Sequence, residues 1–199
     1  MFKKKTNHYY YNKKQKKIIT PKLIKEIFSW ITITLVAVVI ATALVLAFGM
    51  QVKCIGDSME PAIAGGQGVF VDRVLSKIAS PKVGDVIVFL PNGNVNSHYY
   101  VKRVVATPGD TVQIIDGNLY VNGIIDSKES KYDKMQDAGI AENEIKLKSG
   151  EYFVLGDNRN SSEDSRSANI GIVGQSMIIG RAWYKLAGEE AERGLIPHY

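Results

Sequence analysis

The sequence predicts a mostly β domain preceded by one N-terminal transmembrane helix, and two patterns support this prediction. Residues 27–52 carry no charged side chain, and about 20 apolar residues are enough for a helix to cross a bilayer. Beyond them, short apolar runs alternate with Gly, Pro, Asn and Asp at close spacing, a pattern typical of all-β folds. A chain of 199 residues therefore has room for one anchor and one modest domain with its own core.

The apolar run at residues 27–52 has two other possible interpretations. A cleavable signal peptide also begins with basic residues, but its apolar core is only about 7–15 residues long. A buried core helix is rarely so long and so uninterrupted. The length of the run therefore favours a permanent anchor.

Lysine is concentrated before the apolar run. Residues 1–26 carry a formal charge of +8, whereas the rest of the chain carries −3. The tail holds a single acid, Glu26, and nine lysines: Lys3, Lys4, Lys5, Lys13, Lys14, Lys16, Lys17, Lys22 and Lys25. Because positive residues close to a span stay cytoplasmic, we expect residues 53–199 to lie outside the cytoplasm and the tail to rest on anionic lipid of the bilayer. The mildly acidic domain offers no basic face, so we expect no nucleic-acid partner.

These patterns divide the chain into segments. We expect a basic cytoplasmic tail at 1–26, the transmembrane anchor at 27–52, an extracytoplasmic β-rich domain at 53–187 and a C-terminal tail at 188–199. Within the domain, residues 111–150 hold a hairpin and a small insertion, because residues 125–146 are polar and weakly patterned. The predicted strands are 68–71, 86–90, 99–105, 112–115, 118–121, 152–155 and 177–184. The dipeptides Asp116-Gly117 and Asn122-Gly123 are typical of tight hairpin turns.

Cysteine and histidine are sparse. Cys54 is the single cysteine, which excludes an internal disulfide, and its place after an apolar run favours packing over reactivity. The three histidines, His8, His98 and His198, are too scattered to form a metal site.

Ser58 is the candidate nucleophile. A serine attacks an amide only if a base removes its proton. Ser58 lies in a constrained turn just after the anchor, Gly56-Asp57-Ser58-Met59-Glu60-Pro61. The turn fits neither Gly-x-Ser-x-Gly nor Ser-x-x-Lys, because positions 60 and 61 are Glu and Pro. Taken alone, Ser58 is therefore equally compatible with an ordinary turn.

Lys102 is the candidate base. It lies in an apolar strand beside Arg103, and the alternation of a strand places the two on opposite faces. Burial of a lysine lowers its pKa by up to about 3–5 units, which allows the neutral amine to accept a proton, whereas an arginine stays charged. The strand pattern alone is equally compatible with an edge strand whose two cations lie in solvent.

The segment 156–166 forms a polar loop. Its short side chains and interleaved charges, with Asp164 and Arg166 able to pair, predict a loop of fixed shape. A solvated surface turn is the plainer alternative. A calcium loop is disfavoured, because the spacing of acidic residues does not match one.

Four motifs in this order resemble those of bacterial type I signal peptidases, and the basic tail with its single span is similar to theirs. The motifs are Gly56 to Pro61, Gly84 to Phe89, Tyr100 to Val105 with Pro108-Gly109-Asp110, and Gly156 to Arg159 with Ser162 and Asp164-Ser165-Arg166. The resemblance extends from Ile27 to about Tyr184 and is weakest over residues 125–146.

The resemblance implies specific roles. It implies that Ser58 is the nucleophile and Lys102 its general base, that Ser162 hydrogen-bonds and orients the lysine, and that Asp164 and Arg166 form an ion pair that shapes the site. It implies that Met59 packs beside the nucleophile near the substrate pocket, and that the fold is a signal-peptidase-like β domain. The implied reaction is removal of signal peptides from secretory preproteins with small residues at −1 and −3, without metal or cofactor.

Three positions depart from the family pattern. Gly56 stands where some members have a serine that helps to bind the oxyanion, and one missing donor can cost about 2.7–4 kcal/mol. Ala62 replaces a common threonine and Asn160 a common aspartate.

Three other functions compete with this interpretation. Self-cleaving repressors of the SOS kind share a Ser–Lys pair but carry a DNA-binding domain in place of a span, and the endoplasmic-reticulum relatives have histidine in place of the lysine. A catalytically idle, membrane-tethered binding module for exported chains is the alternative from another class.

Overall fold

The computed structural model describes residues 20–94, 97–188 and 191–198. The predicted cytoplasmic tail lies outside the described residues as far as residue 19. The described part of the chain divides into two compact units, with the boundary between residues 42 and 43.

The first element is a long apolar helix, α1, Pro21–Phe48. Pro21 suits the first helical position, and the backbone nitrogen of Leu23 donates a hydrogen bond of 3.3 Å to the Thr20 hydroxyl, an N-terminal cap. The helix therefore begins before the uncharged run and ends at Phe48, and residues 50–53 then form a strand. Pro21–Leu46 is long and apolar enough to cross a membrane, and its side chains are exposed.

Twelve strands follow the helix in the described part of the chain, so the prediction of a mostly β domain is confirmed. They are β1 Met50–Lys53, β2 Gly68–Asp72, β3 Val86–Phe89, β4 Tyr100–Ala106, β5 Thr111–Ile115, β6 Asn118–Val121, β7 Ile124–Ile125, β8 Ile145–Lys146, β9 Glu151–Leu155, β10 Val173–Gly174, β11 Ile178–Lys185 and β12 Gly194–Leu195. A four-residue helix, α2 Leu75–Ile78, follows β2.

Eight of these strands form the main sheet. Their order is β1-β2-β11-β3-β4-β9-β10, with β12 paired to β11. Strand β4 is central, because it is hydrogen-bonded antiparallel to β3 on one side and to β9 on the other. Its side chains are buried on both faces from Val101 to Ala106, which fixes the direction in which each of them points.

The predicted hairpin at residues 112–121 belongs to a second sheet of order β7-β6-β5-β8. Asp116 and Gly117 both have positive φ, 50° and 76°, as the turn between β5 and β6 requires. The insertion, residues 125–146, supplies edge strands of this sheet, and its Met135 and Ala141 are buried in one core cluster with Val112 and Phe153. The insertion is therefore part of the packed domain.

The C-terminal residues pack onto the main sheet. Strand β12 pairs with the end of β11, with Leu195 opposite Tyr184. Beyond it, the ring nitrogen Nε2 of His198 lies 2.8 Å from Oδ1 of Asp85. The predicted tail at 188–199 thus contains an ordered strand.

Two isoleucine-to-alanine substitutions, at the buried position 87 and the exposed position 124, test how much β3 contributes to the stability of the fold. Ile87 is 0% exposed and stands opposite Lys102 in the ladder, whereas Ile124 is 72% exposed. Ile87→Ala leaves a cavity, and we expect it to lower the free energy of unfolding by about 2–5 kcal/mol. Ile124→Ala should stay within about 0.5 kcal/mol of the parent. Denaturant unfolding of the detergent-solubilised protein measures both, and equal losses would contradict this account.

Candidate active site

Ser58 lies in the turn that follows β1. Gly56 has φ of 68°, a left-handed backbone that favours glycine, so the missing serine at this position has a conformational reason. The Ser58 side chain lies at the edge of the core and is 8% exposed. The next residue, Met59, is fully buried and packs in a cluster with Ile63 and Val101, which fixes the turn to the main sheet.

Lys102 lies on β4 and reaches Ser58. Its Nζ is 2.6 Å from Oγ of Ser58 and donates a hydrogen bond to it. Lys102 is 4% exposed, which rules out the alternative of a lysine in solvent. The two residues predicted as nucleophile and base are 44 positions apart in the sequence, and the fold brings them into contact.

The surroundings of Lys102 favour its neutral form. Burial is the largest effect and lowers the pKa of the Lys102 amine, and the guanidinium of Arg166 lowers it further. Negative charge on Asp164, Cys54 or Glu163 acts in the opposite direction, because it stabilises the ammonium. The net direction is downward, as a lysine that accepts a proton requires.

Arg103 points to the other face of β4 and is 2% exposed. Its Nε and Nη2 donate to the two carboxylate oxygens of Asp157 at 2.7 and 2.6 Å. Nη1 donates to the carbonyls of Gly84 at 2.9 Å and Pro197 at 2.8 Å. The strand that carries Lys102 is thereby fixed to the start of the polar loop and to the C-terminal segment.

The loop at 156–166 is held by the predicted ion pair. Nε of Arg166 lies 2.8 Å from Oδ1 of Asp164, and Nη2 lies 2.9 Å from Oδ2. Asp164 also accepts a hydrogen bond of 3.0 Å from the Gly156 amide. Both side chains of the pair are nearly buried, so the loop is built around a desolvated ion pair and is not a solvated surface turn.

The insertion supports this loop from outside. The Arg166 guanidinium donates to the Asp137 carbonyl at 3.2 Å, and the amide of Asn160 donates to the Lys134 carbonyl at 3.0 Å. The Asn160 side-chain oxygen accepts a hydrogen bond of 3.0 Å from the Gln136 backbone. An aspartate at position 160 would have no N–H to donate to the Lys134 carbonyl, so asparagine suits the contact with this insertion.

Ser162 lies beside the Ser58–Lys102 pair but is not bonded to it. Its hydroxyl oxygen is buried and has no hydrogen-bond partner among the described residues. The bond from Ser162 to Lys102 that the family resemblance implies is therefore not formed in this conformation. A Cβ on Gly156 would clash with Oγ of Ser162 and with the carbonyl oxygen of Ser58, so only glycine allows this close approach.

The Ser58–Lys102 pair opens into a cleft of about 390 Å³. Residues 54–58 and 98–102 line it, together with Ser161 and Glu163. Oε2 of Glu163 accepts a hydrogen bond of 3.1 Å from the Tyr100 hydroxyl. Across the described ranges, no group of three or more His, Cys, Asp or Glu side chains is arranged to hold a metal ion.

Several residues of the site were not singled out by the sequence patterns. Asp157 and Gly156 lie within a recognised motif, but only the fold shows that Asp157 pairs with Arg103. Glu163 lies in the gap between two motif segments, and Pro197 lies in the predicted tail. Asp157 and Pro197 are bonded to Arg103, 54 and 94 positions away in the sequence, so no local pattern marks these contacts.

Comparisons with known proteins agree with the motifs. A protein-family model described as signal peptidase, peptidase S26, matches residues 27–186. The chain is 31% identical to Signal peptidase I of Bacillus licheniformis over 167 residues, which are 80% of this chain and 88% of that protein. It is 32% identical to Signal peptidase I P of Bacillus subtilis subsp. natto over 163 residues, 78% and 86% of the two chains. A crystal structure of a signal peptidase I from Enterococcus faecalis V583 is 29% identical in sequence, with a TM-score of 0.38. The match covers 52% of this chain and 97% of the chain in that structure.

The family match spans most of the chain, and the resemblance drawn from the four motifs is confirmed. The chain belongs to the signal peptidase family, peptidase S26, and is a peptide hydrolase of the signal peptidase I type.

Proposed function

We propose that the protein is a membrane-bound serine endopeptidase that removes signal peptides from secretory preproteins, with Ser58 as nucleophile and Lys102 as general base. The observation that carries the proposal is the 2.6 Å contact between Lys102 Nζ and Ser58 Oγ, buried at the base of an open cleft, in a chain of this family. Both groups that the chemistry needs are in contact, and one of them is in surroundings that disfavour its charged form.

The reaction proceeds in two proton-coupled steps. The neutral Lys102 amine takes the proton of Ser58 as Oγ attacks the scissile carbonyl, and the resulting ammonium then protonates the leaving amine. Water hydrolyses the acyl-enzyme by the same route, with Lys102 again accepting the proton. The backbone amide of Ser58 is one donor for the oxyanion.

The remaining site residues position this pair. Ser162 orients Lys102 for proton transfer, as the family resemblance implies, and Asp164 with Arg166 holds the backbone on which Ser162 lies. Met59 fixes the nucleophile turn against the core, as its complete burial indicates. No step requires a metal or a cofactor.

The helix α1 places the reaction at a membrane. The basic N-terminal segment stays in the cytoplasm and residues 53–199 lie outside it. The bilayer holds enzyme and preprotein together, which raises the effective concentration of the substrate. The substrates carry small residues at −1 and −3.

The first prediction concerns the Ser58–Lys102 pair. Ser58→Ala and Lys102→Ala should each lower kcat for cleavage of a secretory preprotein by about 10⁴-fold or more. Lys102→Arg should be equally inactive, because a guanidinium does not give up its proton. The measurement is release of mature protein by the full chain in detergent or vesicles, with the exposed Ser149→Ala as a matched control. Cutting by Ser58→Ala would point to another nucleophile, and an inert parent would favour the binding module.

The pH profile of the parent tests the state of Lys102. The amine must be neutral to act, so kcat/KM should fall as the pH drops through the pKa of Lys102 and rise to a plateau above it. Burial lowers that pKa, so the midpoint should lie below the ordinary lysine value. A midpoint at or above the ordinary value would contradict the role of Lys102 as base.

Ser162→Ala separates positioning from folding. The hydroxyl has no partner among the described residues, so its removal should change the free energy of unfolding by less than about 0.5 kcal/mol. If Ser162 orients Lys102 during the reaction, kcat should nevertheless fall by about 10- to 100-fold with KM little changed. Full activity in Ser162→Ala would remove this role.

Gly156→Ala tests the crowding beside the pair. The added methyl group would meet Ser162 and the Ser58 backbone, so we expect kcat to fall by about 100-fold through misplacement of the nucleophile. Gly174→Ala is the matched control, because its Cβ meets nothing nearer than 3.8 Å and its backbone is extended. Equal kinetics of the two variants would show that the close approach at Gly156 is not needed.

A further inference from the structure

Glu163 is an acidic side chain held at the cleft that contains Ser58 and Lys102. It lines that cleft, and both of its carboxylate oxygens are engaged. Oε2 accepts from the Tyr100 hydroxyl at 3.1 Å, and Oε1 accepts from Nδ2 of Asn169 at 3.3 Å. These two bonds, one to the wall strand β4 and one to the following loop, hold the carboxylate in place.

The cleft is negatively charged in its reactive state. The ionisable acids and bases that line it as described are Cys54, Asp57, His98, Tyr99, Tyr100, Lys102 and Glu163. Catalysis needs Lys102 neutral, so apart from His98 the charged side chains left among the described lining residues are the carboxylates of Asp57 and Glu163. Glu163 acts on the strand beside it: burial, and after it the hydrogen bond and charge of Glu163, raise the pKa of the Tyr100 hydroxyl.

The motifs assign Glu163 no role. The segments that carry the family resemblance end at Ser162 and resume at Asp164, so position 163 lies between them. The side chain is exposed and is not needed to fill the core. It lines the same cleft as Ser58, where we expect the substrate chain to bind.

We propose that Glu163 is a specificity-determining residue of this cleft, which favours preproteins with a lysine or arginine close to the scissile bond, at positions other than −1 and −3, over those with an aspartate or glutamate there. A fixed carboxylate attracts a basic side chain and repels an acidic one. Both effects raise kcat/KM for basic substrates relative to acidic ones. The proposal rests on the proposed cleavage at Ser58 and adds a charge preference to the small residues at −1 and −3.

The test uses three peptide series based on one preprotein cleavage site. Lysine, glutamine or glutamate is placed in turn at each position close to the scissile bond other than −1 and −3, where the residues stay small. The full-length parent, Glu163→Gln, Glu163→Lys and the control Glu144→Gln are compared in detergent by kcat/KM. Glu144 is an exposed glutamate of the insertion that does not line the cleft.

At the most sensitive position we expect kcat/KM of the parent to be about 3- to 10-fold higher for the lysine peptide than for the glutamate peptide. This is the range expected when an exposed carboxylate attracts one side chain and repels the other. Glu163→Gln should bring this ratio close to 1, Glu163→Lys should invert it, and Glu144→Gln should leave it unchanged. The ratio in the parent should also shrink as salt is added. Equal ratios in the parent and Glu163→Gln would overturn the proposal, whereas failure of the parent to cut any peptide would overturn the cleavage at Ser58 itself.

A second readout excludes a merely structural role. The groups that act on Lys102 are Asp164, Cys54 and Glu163, which raise its pKa, and Arg166, which lowers it. Removing the Glu163 charge should therefore shift the acidic limb of the kcat/KM profile, measured with the glutamine peptides, to lower pH. An unshifted limb would mean that the carboxylate does not act on the cleft.

Discussion

The site depends on keeping one amine, that of Lys102, out of water. An ammonium buried without compensation is costly, and each unit by which its pKa falls corresponds to about 1.36 kcal/mol. The fold meets this demand by placing Lys102 on β4 between β3 and β9, so that burial follows from its position in the sheet and not from a mobile loop. The same strand presents the amine to Ser58. The geometry and the protonation state of the proposed base therefore have one common cause.

Arg103, the next residue on the strand, is buried as a charged group. Arg103 cannot escape burial by losing its proton, so its guanidinium must be paired, and leaving one half of a buried pair alone costs about 3–5 kcal/mol. Asp157 provides the pairing, with carbonyl acceptors at Gly84 and Pro197. Alternation along β4 thus separates a cation that becomes neutral from a cation that stays charged. Because Asp157 lies at the start of the polar loop, the pairing also sets where that loop begins relative to Lys102.

Strand alternation at Lys102 and Arg103, the hairpin dipeptides and the long apolar run were readable from the sequence, since each is a local pattern with a direct structural meaning. What the sequence could not supply were partners across long separations. The pairing of Arg103 with Asp157 spans 54 positions and the contact with Pro197 spans 94, and no local pattern marks either. The insertion is polar and weakly patterned in sequence, yet its Met135 and Ala141 are buried. The unbonded hydroxyl of Ser162 shows a further limit, because a motif can imply a contact that one conformation of the protein does not make.

The insertion also bears on the proposed chemistry through Arg166. A carboxylate close to Lys102, such as Asp164, opposes the neutral amine, yet the loop requires Asp164 to bond the Gly156 amide. Pairing with Arg166 offsets the charge of Asp164, and the guanidinium itself lowers the pKa of Lys102. The Arg166 guanidinium in turn donates to the Asp137 carbonyl, and the Arg166 backbone lies so close to Gly139 that a Cβ there would clash with it. The insertion thus supports the cation that offsets the charge of Asp164 beside the proposed base.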